Sequence, residues 1–176
     1  MKPLSISANM TSIIFDNVCT GAQPNLVIVN LVSYADLASG YQRNPCNFQN
    51  FGVNNIKLQR NGTLRQNKSY TPNFADGQYI KDYMTFLQML DFETSDKSVS
   101  LTTSELANGY TLYVFKITDG FIGPGTYGPR STSATISACL EVSFAAPVNE
   151  KHQGDLLLYQ MLGKLKFERF NKNLVL

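Results

Sequence analysis

From Ala134 to Phe144 the chain alternates without a break. Ala134, Ile136, Ala138, Leu140, Val142 and Phe144 fall on one side, and Thr135, Ser137, Cys139, Glu141 and Ser143 on the other. Successive side chains of a strand point to opposite faces, so a period of two gives one buried and one polar face. A helical period would scatter the same residues around a cylinder. The segment therefore predicts a half-buried strand, and a strand needs a sheet around it.

Most of the chain repeats this grammar in short runs separated by turn residues. Thr11 to Val18 is a first run, ended by the polar stretch Thr20 to Asn25 with Gly21 and Pro24. Leu26 to Ser33 is rich in Val and Ile on both faces, which predicts a central strand covered on two sides. A long polar loop is expected over Ala35 to Pro45. Asn47 to Arg60 alternates loosely and is broken by Gly52, and Asn61-Gly62 supplies a tight turn. Tyr110 to Thr118 is again apolar on both faces and is expected to be central. Asp155 to Met161 and Lys164 to Phe170, around Gly163, predict a closing antiparallel hairpin.

One segment departs from that rhythm. Over 74–91, Ile80, Tyr83, Met84, Leu87 and Leu90 fall at helical spacing and define one stripe. Asn73 is the expected N-cap, with Asp76 near the positive end of the helix dipole. The helix is expected to cover a sheet edge or end. Its polar face is not basic, which argues against a membrane-surface role. With about eight strands, one inserted helix and no β–α alternation, the expected fold class is all-β: an eight-stranded antiparallel jelly-roll sandwich. The 176 residues suffice for one domain, 1–176, with its own core.

Composition narrows the function classes. Charged residues make up 16% of the chain, against roughly 25% in an average soluble protein. Surface hidden against partners is the favoured explanation. A net charge of +2 with no Lys or Arg run gives no basic arm. The three cysteines, Cys19, Cys46 and Cys139, are widely spaced, and buried free thiols in a reducing compartment are expected. Asn9, Asn61 and Asn67 begin formal sequons that carry no weight without a secretory signal. Met1 to Met10 lacks an apolar signal core, and Leu26 to Val32 is far shorter than the roughly 20 residues that span a bilayer. No membrane insertion is expected.

The motifs that carry chemistry are thin. His152 is the sole histidine, so a cupin-type metal site cannot assemble its ligands. Gly123 to Gly128 matches G-x-G-x-x-G, but Pro124 removes a donor and Pro129 bars a following helix N-terminus. Asp91, Glu93 and Asp96 cluster beside Lys97 as a solvated turn without EF-hand spacing. No catalytic residue, cofactor site or metal site is assigned, and the chain is not expected to be an enzyme. Loop aromatics such as Tyr41, Phe48, Phe51, Tyr70 and Tyr127 suit protein contacts better than nucleic acid, because Arg43, Arg60, Arg65 and Arg130 are dispersed.

Several stretches, in order along nearly the whole chain, resemble the major capsid proteins of Maverick/Polinton elements and adintovirus-like viruses. They are Gly40 to Pro45, Phe48 to Gly52, Leu58 to Gly62, Tyr70 to Phe74, the helix around Tyr83 to Leu90, Gly109 to Phe115, Leu140 to Phe144, Leu157 to Tyr159 and Lys164 to Phe167. Members of that family are double jelly rolls whose trimers act as pseudo-hexagonal capsomers, and this chain is similar to the second, C-terminal roll. The resemblance implies a structural protein of the virion capsid, soluble in the host before assembly. Its partners would be copies of itself in a trimeric capsomer and other capsid proteins, with no specific nucleic-acid contact. A carbohydrate- or ligand-binding jelly roll without catalysis is the alternative.

Overall fold

The computed structural model describes residues 2–19, 24, 26–37, 44, 46–60, 69–90, 101–117, 137–148 and 154–161. Among these residues seven strands and three short helices follow one another: β1 (Lys2–Ser5), β2 (Ser12–Phe15), β3 (Leu26–Ser33), α1 (Tyr34–Leu37), β4 (Val53–Arg60), α2 (Ile80–Met89), α3 (Thr103–Ala107), β5 (Tyr113–Lys116), β6 (Ala138–Phe144) and β7 (Gly154–Met161). The fold is all-β, built from antiparallel sheets. One sheet has the order β1-β7-β3-β5 and the other β2-β6-β4.

The pairing is nested. β1 pairs with β7, β2 with β6 and β3 with β5, all antiparallel. Inside these, Ile56 of β4 forms an antiparallel bridge with Tyr70, closed by two backbone bonds of 3.0 Å. Successive strands therefore alternate between the sheets. Val27, Val29 and Leu31 of one sheet and Ile56, Leu58, Leu140 and Val142 of the other belong to a single hydrophobic core. Removing this apolar surface from water, at about 25 cal/mol per Å², is the main term holding the sheets together.

The alternation at the end of the chain's β pattern holds where it is described. Ala138, Leu140, Val142 and Phe144 are buried and the residues between them half-exposed, while Ala134 and Ile136 lie outside the described residues. Leu26–Ser33 is central as expected, with β7 on one side and β5 on the other. The loose pattern of Asn47 to Arg60 has a mechanical cause. A register shift between Val53 and Asn55 inserts one residue, so buried Val53 and buried Ile56 are three apart. Phe51 and Gly52, at φ 45° and 67°, turn the chain into β4.

Other expectations change. The helix runs over Ile80–Met89 rather than 74–91, and Tyr79, not Asn73, is its N-cap. Asn73 instead closes a separate turn. Its amide donates to Asp76 Oδ2 at 2.7 Å, its Oδ1 accepts from Asp76 N–H at 3.2 Å, and its backbone bridges Gln78. Gly77, at φ 69°, completes that turn in a conformation other residues adopt at a cost. The buried face of α2 is centred on Asp82, Thr85 and Phe86, leaving Ile80 and Met84 outside.

β5 is an edge strand in the described sheet, not a central one. Both its faces are nevertheless covered, because Tyr70 and α2 close over it. β7 sits between β1 and β3, so Asp155 to Leu158 have both edges occupied. Lys164 to Phe170, its expected hairpin partner, lies outside the described residues, as does the Asn61-Gly62 turn. The expected loop after Ser33 begins with the single turn of α1.

Candidate functional site

Most residues weighed for chemistry lie outside the described part of the structure: His152, Gly123 to Gly128, Asp91, Glu93, Asp96, Tyr41, Tyr127, Arg43, Arg65 and Arg130. Among the described residues, no group of three His, Cys, Asp or Glu side chains is placed to hold a metal. No helix there is long and apolar enough to cross a membrane. The three cysteines form no disulfide; Cys19 is buried, while Cys46 and Cys139 are half-buried rather than fully enclosed. Burial, then Asp16, raises the Cys139 thiol above its ordinary value.

Tyr70 is not a loop contact residue. It is 1% exposed and sits at the centre of a polar cluster between the sheets. Its backbone is bonded to Ile56 of β4, and its hydroxyl reaches across to β5. That hydroxyl donates to the Val114 carbonyl at 2.7 Å and accepts from the Val114 N–H at 3.2 Å. A residue in an antiparallel strand points its N–H and C=O to the same side. Val114 therefore turns both toward Tyr70 and away from β3, and one phenol seals this stretch of sheet edge. The ring packs edge-on against Tyr113 and Phe115, each at a centroid distance of 5.4 Å.

Two further groups complete the cluster. Asp82, in the first turn of α2, accepts the Thr71 N–H at 2.8 Å and so ties the segment after Tyr70 to the helix. Burial raises its carboxyl above the ordinary value, partly offset by the Thr71 bond and Lys81. Tyr113 is buried with no hydrogen-bond partner for its hydroxyl. Burial foremost, then the nearby Asp82 and Tyr70, pushes its ionisation well up. All three phenol and carboxyl groups serve the interior.

Several large apolar side chains are exposed among the described residues. Ile80 and Met84, one turn apart on α2, are 65% and 46% exposed, and Met10, Ile14, Tyr34 and Tyr110 are also exposed. Tyr110 is held by its neighbours. Phe48 donates its N–H to the Gly109 carbonyl at 2.9 Å, and Thr111 donates to the Phe48 carbonyl at 3.0 Å. Phe48 and Phe51 themselves are half-buried. Behind this platform, Thr102 and Glu105 form a reciprocal capping box on α3, and Tyr83 donates to the Leu101 carbonyl at 2.8 Å. The T-x-x-E spacing of that box was a readable start signal for α3. No protein-family model, curated protein or solved structure matches the chain.

Proposed function

We propose that the chain is a jelly-roll domain of a capsid-type shell protein, working through contacts with copies of itself. The nested antiparallel pairing carries this reading. Among the described strands, first with last, second with second-last and third with third-last is the pairing of a hairpin wound into two sheets, and jelly rolls of this kind build viral capsids. The Ile56–Tyr70 bridge stands where the fourth nested pair of an eight-stranded roll would be. The sequence resemblance to the second roll of Maverick/Polinton and adintovirus-like capsid proteins points the same way, and it carries the trimeric capsomer and the virion location. Low charge content and exposed Tyr34, Ile80, Met84 and Tyr110 suit surfaces that meet neighbours. A closed trimer would use different patches around a threefold axis.

Light scattering of the purified chain, alone and with a companion jelly roll, tests the reading. Particles of trimer mass or larger are expected. A strict monomer at high concentration under both conditions would remove the assembly role. A ligand-binding jelly roll is the second reading, favoured by the exposed rings of Tyr34 and Tyr110. A glycan array without hits would dismiss it.

A further inference from the structure

We infer that the outer edge of β2 pairs with the same edge of a second copy, joining two molecules about a twofold axis through a continuous sheet. This goes beyond the threefold association proposed above and does not depend on it.

The sheet edges are treated differently. The β5 edge is sealed at Val114 by the Tyr70 hydroxyl. The β4 edge is taken at Ile56 by the Tyr70 backbone. β1 contains Pro3, which has no N–H to offer. Among the described residues, β2, Ser12-Ile-Ile-Phe15, has none of these devices. Among the described residues it pairs only with β6. Natural edge strands are protected by charge, proline, bulges or cover, and an edge without them is open to another strand.

The register says which groups are on offer. Phe144 donates its N–H to the Thr11 carbonyl at 2.8 Å, so the position opposite Phe144 is a hydrogen-bonded one. Alternation along an antiparallel pair makes Ile13–Val142 and Phe15–Leu140 bonded as well. The N–H and C=O of Ser12 and Ile14 therefore face away from β6. Ile14 is also 60% exposed at its side chain.

A second copy fits this edge. In an antiparallel twofold register with Ile13 facing Ile13 of the partner subunit, Ser12 meets Ile14 of the partner subunit, and each residue bonds through both backbone groups. No charged residue lies within β2, and Asp16 falls opposite Met10 of the partner subunit, so no like charges meet. Donor and acceptor complement each other because the edge is complementary to itself. A four-residue edge covers far less than the roughly 1,000 Å² of a stable interface. The pairing is therefore weak alone and gains strength where many copies are arrayed.

Amide hydrogen exchange of the full chain, at about 10 µM and about 1 mM to bracket a weak association, tests it. Protection at the Ser12 and Ile14 amides should rise several-fold with concentration. Ile14→Pro deletes an outward N–H and no bond to β6, so it should abolish the rise at Ser12 while circular dichroism stays unchanged. If that variant does not fold, Ile14→Lys serves in its place and should do the same. Ile80→Lys, on α2, should leave the rise intact. Exchange independent of concentration in the wild-type chain overturns the inference, as does a rise that survives the β2 substitutions. Threefold particles with unprotected Ser12 and Ile14 would sink this inference and spare the proposed function. Protected amides without threefold particles would do the reverse.

Discussion

Replacing Tyr70 by Phe removes one oxygen atom and changes almost nothing else. The ring keeps its edge-on contacts with Tyr113 and Phe115, and the backbone keeps its bridge to Ile56. What disappears is the hydroxyl that donates to the Val114 carbonyl and accepts from the Val114 N–H. Val114 is 1% exposed, so water does not replace the lost partner easily. A net hydrogen bond contributes about 1 kcal/mol, and a buried donor or acceptor left unsatisfied costs about 1–3 kcal/mol. Tyr70→Phe should therefore destabilise the fold by about 2–4 kcal/mol, a large part of the about 5–15 kcal/mol typical of a domain. Urea unfolding should show a lower midpoint at unchanged slope, since the surface exposed on unfolding hardly differs. Hydrogen exchange at the Val114 amide should quicken in parallel. A midpoint within about 0.5 kcal/mol of wild type, the range of a neutral surface change, would refute the role given to this hydroxyl.

Three other substitutions test further contacts. Tyr113→Phe deletes a buried hydroxyl without a partner, so it should be neutral or stabilise by about 1 kcal/mol in urea unfolding. Asp82 has a raised folded carboxyl value, so the folded state binds more protons than the unfolded one between the ordinary and raised values, and stability falls as pH rises through that window. Asp82→Asn keeps an oxygen for the Thr71 N–H and should flatten that fall, seen as urea midpoints that vary less between acid and neutral pH. Thr102→Ala breaks the α3 capping box and should cost about 1 kcal/mol by thermal or urea unfolding.

The strands whose side chains do the burying were legible in the sequence. Leu140, Val142 and Phe144 advertise their face by strict alternation, and Val27 to Val29 with Leu31 and Val32 announce burial by an apolar run that Asn30 alone interrupts. The parts that misled have local causes. Asn73, Asp76 and Gly77 carry helix-start chemistry and turn chemistry at once, and the turn won, so α2 starts later. Tyr83, Leu87 and Leu90 of its stripe do pack against the core, while Asp82 is bonded inward to Thr71 and Ile80 and Met84 lie outward. Tyr113 to Phe115 looked central because burial on both faces does not distinguish a neighbouring strand from a phenol and a helix. Tyr70 was invisible as a core residue because its short flanks, Ser69 and Thr71-Pro72-Asn73, are those of a loop. β1, with four residues and no alternation of polar and apolar type to spare, gave no signal above its surroundings.

The proposed shell-building role is tested most directly by electron microscopy of the concentrated chain together with a companion jelly roll. Class averages with threefold symmetry and a pseudo-hexagonal outline are predicted. Fields that contain only single-domain particles at every concentration would contradict it.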